Sequence, residues 1–166
     1  IEGAYFSDAT SSVVGDGKLY ICSWYGFAKI FDMTTGEQLM SSGADAVGNI
    51  FYSACYDEQS KLVYGAFFND DATALLWASF DMNTQVKTVI ADVSQYGIIG
   101  CDFDASGNVW FIAADGTIYR TDKQFRNVTT LGNIGATPAC EYSNGGMCID
   151  KETNTIYWAF DILNGE

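Results

Sequence analysis

A repeat of 44 to 47 residues constrains the fold of this chain more than any other feature. Four segments align on an aromatic residue, and successive aromatics are 44, 46 and 47 residues apart. The aligned aromatics are Tyr20, Tyr64, Trp110 and Tyr157. Three of them follow a short strand-like segment that runs into an aspartate turn, at residues 55–57, 102–104 and 148–150. Self-similarity at this period predicts an array of equivalent structural units.

Two further strands follow the aromatic in phase with the repeat. The third strand ends at Asp32, Asp81 and Asp122, and a polar turn then leads into a more polar fourth strand. Aromatic and β-branched residues between Gly, Asn and Asp turns favour strands. Each unit is therefore predicted to be a four-stranded antiparallel meander, which is the size of one β-propeller blade. The polarity of the fourth strand predicts that it forms the exposed outer edge.

The predicted fold class is all-β, a β-propeller with about three and a half to four blades. The chain would form a single propeller or part of one, with blades at about residues 1–41, 42–91, 92–133 and 134–166, the last incomplete. Such a ring could be closed by Ile1–Phe6, by further blades in a longer chain, or by a second copy. We favour the longer chain. A β-sandwich with coincidental spacing is the competing interpretation.

The charge argues against two classes of partner. The chain has 21 acidic and 8 basic residues and a net charge of −13. Nucleic acid and anionic membrane surfaces need clustered Lys and Arg, so neither is expected as a partner. No apolar run is long enough for a transmembrane helix, so membrane insertion is not expected. A glycan, a peptide or protein ligand, or a metal ion is compatible with this charge. The alternative is that the acidic residues only keep a secreted protein soluble.

Residues suited to covalent or acid–base chemistry are few. The chain has no histidine, so neither a Ser-His-Asp nor a Cys-His mechanism can be built within it. We predict no catalytic residue and no cofactor, with calcium as the one exception. Asp102, Asp104 and Ser106 partly match a calcium-binding loop, although Ala113 stands where the closing Glu belongs. A turn closed by Asp104 explains the same residues without a metal.

Five cysteines are present, and no two have the CxxC spacing of a zinc site. Cys22, Cys55, Cys101 and Cys148 lie in predicted strands among apolar neighbours. Free cysteine in such a position behaves as a small buried hydrophobic residue. Cys140 and Cys148 form the best disulfide candidate.

Loops at one end of the blades form the predicted ligand face. In a meander, the loops between second and third strands emerge at the same end as the connectors between blades. Here these loops carry aromatics beside carboxylates, which suits sugar or peptide binding because rings stack and acids accept hydrogen bonds. The predicted ligand-binding residues are Trp24, Tyr25, Phe68, Asp70, Asp71, Tyr96, Asp115, Tyr142 and Asp161. The alternative is that the aromatics pack between blades and the acids are solvated.

Two segments resemble known propeller repeats. Residues 102–120 carry the pattern D-x-x-G-N-hydrophobic-W followed by D-G-x-hydrophobic-Y, and they resemble the repeats of NHL-like and sensor-type propellers. Residues 150–159 are similar to the propeller repeats of bacterial surface proteins. The resemblance implies an extracellular or cell-surface location. With a ligand face on its loops, the chain is interpreted as a non-catalytic binding or adhesion-type module. A propeller enzyme acting on carbohydrate and a structural domain of a larger surface assembly are the alternatives.

Overall fold

The computed structural model describes residues 9–23, 28–42, 51–138 and 146–159, which form fourteen strands in four sheets, numbered here as blades 1 to 4. Blade 1 contains β1 (Ala9–Gly15), β2 (Lys18–Ser23), β3 (Ala28–Asp32) and β4 (Gln38–Ser42). Blade 2 contains β5 (Phe51–Asp57), β6 (Leu62–Phe68), β7 (Leu75–Phe80) and β8 (Lys87–Asp92). Blade 3 contains β9 (Ile98–Phe103), β10 (Val109–Ala113), β11 (Thr117–Thr121) and β12 (Thr129–Asn133). The described part of blade 4 contains β13 (Met147–Asp150) and β14 (Thr155–Trp158).

The strands of blades 1 to 3 pair in chain order, each antiparallel to the one before it. This confirms the predicted all-β fold with four-stranded antiparallel units. The first strands β1, β5, β9 and β13 lie next to one another from blade to blade, so they are the innermost strands. The fourth strands lie at the outer edge, and β12 is exposed along its whole length. The exact blade limits remain predictions. Within the described ranges, no helix has the length and apolar character needed to cross a membrane.

Aspartates close the turns after most first and third strands. Asp32 Oδ1 accepts hydrogen bonds from the backbone N–H groups of Thr34 and Thr35 at 2.8 and 2.7 Å. Such bonds pair N–H groups that the strand ladder leaves without a partner, which explains why aspartate recurs in phase with the repeat. The other aspartates that close turns in this way are Asp57, Asp81, Asp104, Asp122 and Asp150.

Aromatic side chains fill the space between successive blades. Tyr20 is fully buried against Phe80 of blade 2, with ring centroids 5.4 Å apart. Tyr64 packs edge-on against Phe103 of blade 3 at the same centroid distance of 5.4 Å. Tyr157, the aligned residue in blade 4, is 58% exposed. In blades 1 and 2, the aromatic of the repeat is therefore a residue that packs against the following blade.

The turn aspartates predict how stability depends on pH. Hydrogen bonds from turn N–H and hydroxyl groups hold the pKa of five aspartates at or near the surface below its ordinary value. These are Asp32, Asp81, Asp92, Asp115 and Asp150. A carboxyl with a lowered pKa stabilises the folded state above the pKa of the unfolded chain, about 4, and this stabilisation is lost as pH falls through the folded value.

We therefore expect the urea midpoint to be nearly constant from about pH 5 to pH 7 and to fall steeply below about pH 4. Asp102 contributes with the opposite sign, because burial raises the pKa of its carboxyl and protonation favours the folded state. Circular dichroism in a pH series of urea titrations measures the trend. A midpoint that rises on acidification would contradict it.

Candidate functional site

The loop face, defined here as the end of the blades that carries the loops between second and third strands and the connectors between blades, is partly described. Its described segments are residues 69–74, 93–97, 114–116 and 134–138. Phe68, Asp70, Asp71, Tyr96 and Asp115 can therefore be placed. The predicted ligand-binding residues Trp24, Tyr25, Tyr142 and Asp161 lie outside the described residues.

Asn69 organises the loop that follows β6. Its Oδ1 accepts the backbone N–H groups of Thr73 and Ala74 at 2.8 and 3.0 Å, and its Nδ2 donates to Thr73 Oγ1 at 2.9 Å. The backbone closes the same loop, since the Asn69 N–H donates to the Ala74 carbonyl at 3.0 Å. The tip between these residues carries Asp70 and Asp71. The loop thus has a defined shape that does not depend on either carboxylate.

Asp70 and Asp71 are both exposed, and neither carboxylate accepts a hydrogen bond from the described part of the chain. This separates them from the turn aspartates, whose oxygens are occupied. Phe68, at the end of β6, precedes them and is 39% exposed. The loop therefore carries two exposed carboxylates that follow an exposed phenylalanine in the chain, and their role in ligand binding stays a prediction.

A lysine lies near this loop. The Lys87 ammonium group lies 3.8 Å from the centroid of the Phe67 ring, in a cation–π contact. Burial lowers the pKa of Lys87, and the negative charge of Asp70 acts in the opposite direction. The charge of Asp70 therefore favours the protonated form of Lys87.

Tyr96 and Asp115 have structural contacts within blade 3. The Tyr96 ring packs edge-on against Phe111 and Tyr119, with centroids 5.4 and 5.3 Å away. Asp115 Oδ1 accepts the Thr117 N–H at 2.9 Å, which closes the turn between β10 and β11. Both residues lie on the loop face as predicted from the chain order, but their contacts support packing and turn closure. Their role in ligand binding stays a prediction.

The two aspartates of the candidate calcium loop accept hydrogen bonds from within the chain. Asp104 Oδ1 accepts the N–H groups of Ser106 and Asn108, each at 2.9 Å. Its Oδ2 accepts Asn108 Nδ2 and the indole N–H of Trp110, also at 2.9 Å. Asp102 Oδ2 accepts the Ile149 N–H of blade 4 at 2.7 Å. These bonds account for both aspartates as structural residues, and calcium binding stays an untested prediction.

A central cavity lies between the innermost strands, and it was not predicted from the sequence. It has a volume of about 270 Å³, and its wall includes Val13, Cys55, Asp102 and Cys148 from the four first strands. Glu58 and Lys151, in the turns that follow β5 and β13, also line it. The cavity therefore approaches the end of the blades opposite the loop face. Among the described residues, no group of three or more Cys, Asp or Glu side chains could hold a metal ion.

Comparisons with known proteins identify the fold. No protein-family model matches the chain, and no curated protein is detectably similar to it. Among solved structures, BamB from Moraxella catarrhalis matches 89% of this chain with 18% identity and a TM-score of 0.57. A protein of unknown function from Bacteroides thetaiotaomicron matches 95% with 9% identity and a TM-score of 0.71. A chain of the nidogen/laminin complex matches 92% with 13% identity and a TM-score of 0.69.

These structures are longer than the chain, which spans 39%, 40% and 56% of their respective lengths. At such low sequence identity, the likeness establishes the fold and not the activity. The strand order agrees with it, because the described sheets are antiparallel meanders whose first strands lie side by side. The chain therefore has the β-propeller fold, built from four-stranded antiparallel blades.

Proposed function

We propose that this chain is a non-catalytic binding module of an extracellular or cell-surface bacterial protein, and that the loop of residues 69–74 is its main contact with a ligand. The observation that carries the proposal is the pair of exposed carboxylates, Asp70 and Asp71, on a loop that Asn69 holds in shape. Neither carboxylate is needed to close the turn, and two like charges side by side repel each other. A ligand that supplies donors or positive charge relieves that repulsion.

The chemistry of the loop defines the class of ligand. Carboxylates accept hydrogen bonds from sugar hydroxyls and from Lys or Arg side chains, and the exposed Phe68 edge offers an apolar surface beside them. The net charge of −13 steers cationic partners toward the protein. A basic peptide segment of a protein partner satisfies both features, and we propose it as the first ligand class to test, with neutral glycans as the second. Of the similar structures, the nidogen/laminin complex is itself a protein–protein complex.

The double variant Asp70→Asn/Asp71→Asn tests the proposal. It removes two charges while keeping side-chain size. The melting temperature should change little, because neither carboxylate accepts a described hydrogen bond and Asp70 acts on Lys87 only through its charge. Binding is measured by fluorescence anisotropy against a panel of Lys- and Arg-rich peptides and on an array of neutral glycans. We expect the variant to bind the best probe of the wild-type chain at least about tenfold more weakly.

The matched control is Glu37→Gln/Glu152→Gln. Both glutamates are exposed in turns at the opposite end of the blades, so the control removes the same charge from the other face. Its affinity should stay within about twofold of the wild type, since long-range steering is screened by salt. Equal losses in the two variants would show that only net charge matters. Failure of the wild type to bind any probe would favour a structural role instead.

A further inference from the structure

Two cysteines from adjacent blades touch in the interior. Cys55 in β5 and Cys101 in β9 are 3% and 2% exposed, and their Sγ atoms are 3.7 Å apart. Ser53 Oγ donates a hydrogen bond to Cys101 Sγ at 3.3 Å, which orients that thiol. The sequence predicted both as small buried hydrophobic residues, and the structure confirms that both are buried and free. Their contact between blades 2 and 3 was not predicted.

We propose that Cys55 and Cys101 form a reversible disulfide that links blade 2 to blade 3, with a small hydroperoxide as the oxidant. Closing the bond requires the sulfurs to approach from 3.7 Å to about 2.05 Å. We expect rotation of the two side chains about their Cα–Cβ bonds to supply this movement. The Ser53 hydroxyl then loses a thiol acceptor and keeps a weaker contact to the disulfide sulfur.

The central cavity gives the oxidant a route to one of the two sulfurs. Cys55 lines the cavity of about 270 Å³, and this volume is large enough for a peroxide molecule. The Cys55 thiolate attacks one peroxide oxygen, the O–O bond breaks, and Cys55 becomes a sulfenic acid while hydroxide leaves. Cys101 Sγ then attacks the Cys55 sulfur, forming the S–S bond and releasing water. In total two thiols and one hydrogen peroxide give one disulfide and two water molecules.

The surroundings distinguish this pair from the other described cysteines. Cys22 lies beside the Tyr20 hydroxyl, at 2.6 Å, in the interface between blades 1 and 2. Cys148 is exposed, which corrects its prediction as a buried residue.

The pKa of Cys55 is raised well above its ordinary value, mainly by burial and to a smaller extent by the neighbouring Cys101. Little thiolate is present at neutral pH, so we expect the disulfide to form slowly.

The decisive experiment uses the full chain with Cys140→Ser/Cys148→Ser, which retains three cysteines and removes the pair favoured by the sequence. The folded protein is treated with hydrogen peroxide, quenched with catalase, unfolded and alkylated. We expect two of the three thiols to be protected, a mass loss of about 2 Da, and a peptide map that joins Cys55 to Cys101. Dithiothreitol should restore all three thiols. This test needs no substitution in the interior.

Two further variants locate the chemistry. In the same background, Cys101→Ala should leave a Cys55 sulfenic acid that dimedone traps, whereas Cys22→Ala should leave the cross-link intact. Oxidation should raise the melting temperature by roughly 5–10 °C, because the bond constrains the unfolded chain, and Cys101→Ala should abolish this rise. Three alkylated thiols after peroxide treatment, or a cross-link that maps to Cys22, would overturn the proposal.

Discussion

Trp77→Ala is expected to lower the free energy of unfolding by about 3–5 kcal/mol, the largest effect of any single change considered for this chain. Trp77 is fully buried, and its ring lies 4.9 Å from Phe125 and 6.2 Å from Tyr64, measured between centroids. Its indole N–H donates to the Lys123 carbonyl of blade 3 at 3.1 Å. The substitution leaves a cavity between blades 2 and 3 and an unpaired carbonyl. Urea denaturation followed by circular dichroism measures the loss.

Trp77→Phe separates the two causes, because it keeps most of the ring and removes only the indole N–H. We expect it to cost about 1–2 kcal/mol, for the lost hydrogen bond and a small cavity. Leu39→Ala is the control on the outer strand β4, where the side chain is 48% exposed. It should change stability by less than about 0.5 kcal/mol. If Trp77→Ala costs no more than Leu39→Ala, the blades do not pack through Trp77.

Lys123→Met is expected to destabilise the fold by about 3 kcal/mol. Lys123 Nζ lies 2.5 Å from Asp57 Oδ2, and the aspartate side chain is only 4% exposed. This ion pair joins the turn after β5 in blade 2 to the turn after β11 in blade 3. The substitution keeps the aliphatic stem and leaves the buried carboxylate with only its Ser60 donors. Thermal denaturation and urea titration at pH 7 measure the effect.

The pH dependence of the variant provides an independent test. Burial raises the pKa of Asp57, but hydrogen bonds from Lys123 and Ser60 outweigh it and lower the pKa overall. Without Lys123 the pKa should rise, so the variant should recover part of its lost stability as pH falls from about 7 to 5. Adding Asp57→Asn should restore part of the stability at pH 7, since no unpaired charge remains. A double variant as unstable as the sum of the single variants would contradict the pairing.

The sequence was sufficient for the repeating elements because local interactions determine them. The phased aspartates at Asp32, Asp81 and Asp122 close turns through hydrogen bonds to residues two to four positions away. In the described blades, the polar fourth strand is exposed because it pairs with a neighbouring strand on only one side. Such patterns can be recognised without knowing how the blades approach one another.

Sequence patterns could not show which carboxylates of the loop face are available to a ligand. Asp70 and Asp115 both lie in loops between second and third strands, and their sequence context is equally polar. In the structure, Asp115 accepts the Thr117 N–H, whereas Asn69 closes the other loop and leaves Asp70 exposed. The side chain that satisfies a loop's backbone determines which carboxylates are available to a ligand. An asparagine directly before the acidic pair was the signal that could have indicated this.

From the sequence alone follow the all-β propeller fold, the order of strands within a blade and the end of the blades on which the loop residues lie. The tertiary structure decided which side chains meet across blades, because residues about one repeat apart in the chain come into contact only when the sheets pack. Cys55 and Cys101 are 46 positions apart, yet their sulfurs touch. Asp57 and Lys123 are 66 positions apart and form an ion pair. The central cavity likewise exists only between first strands brought together by packing.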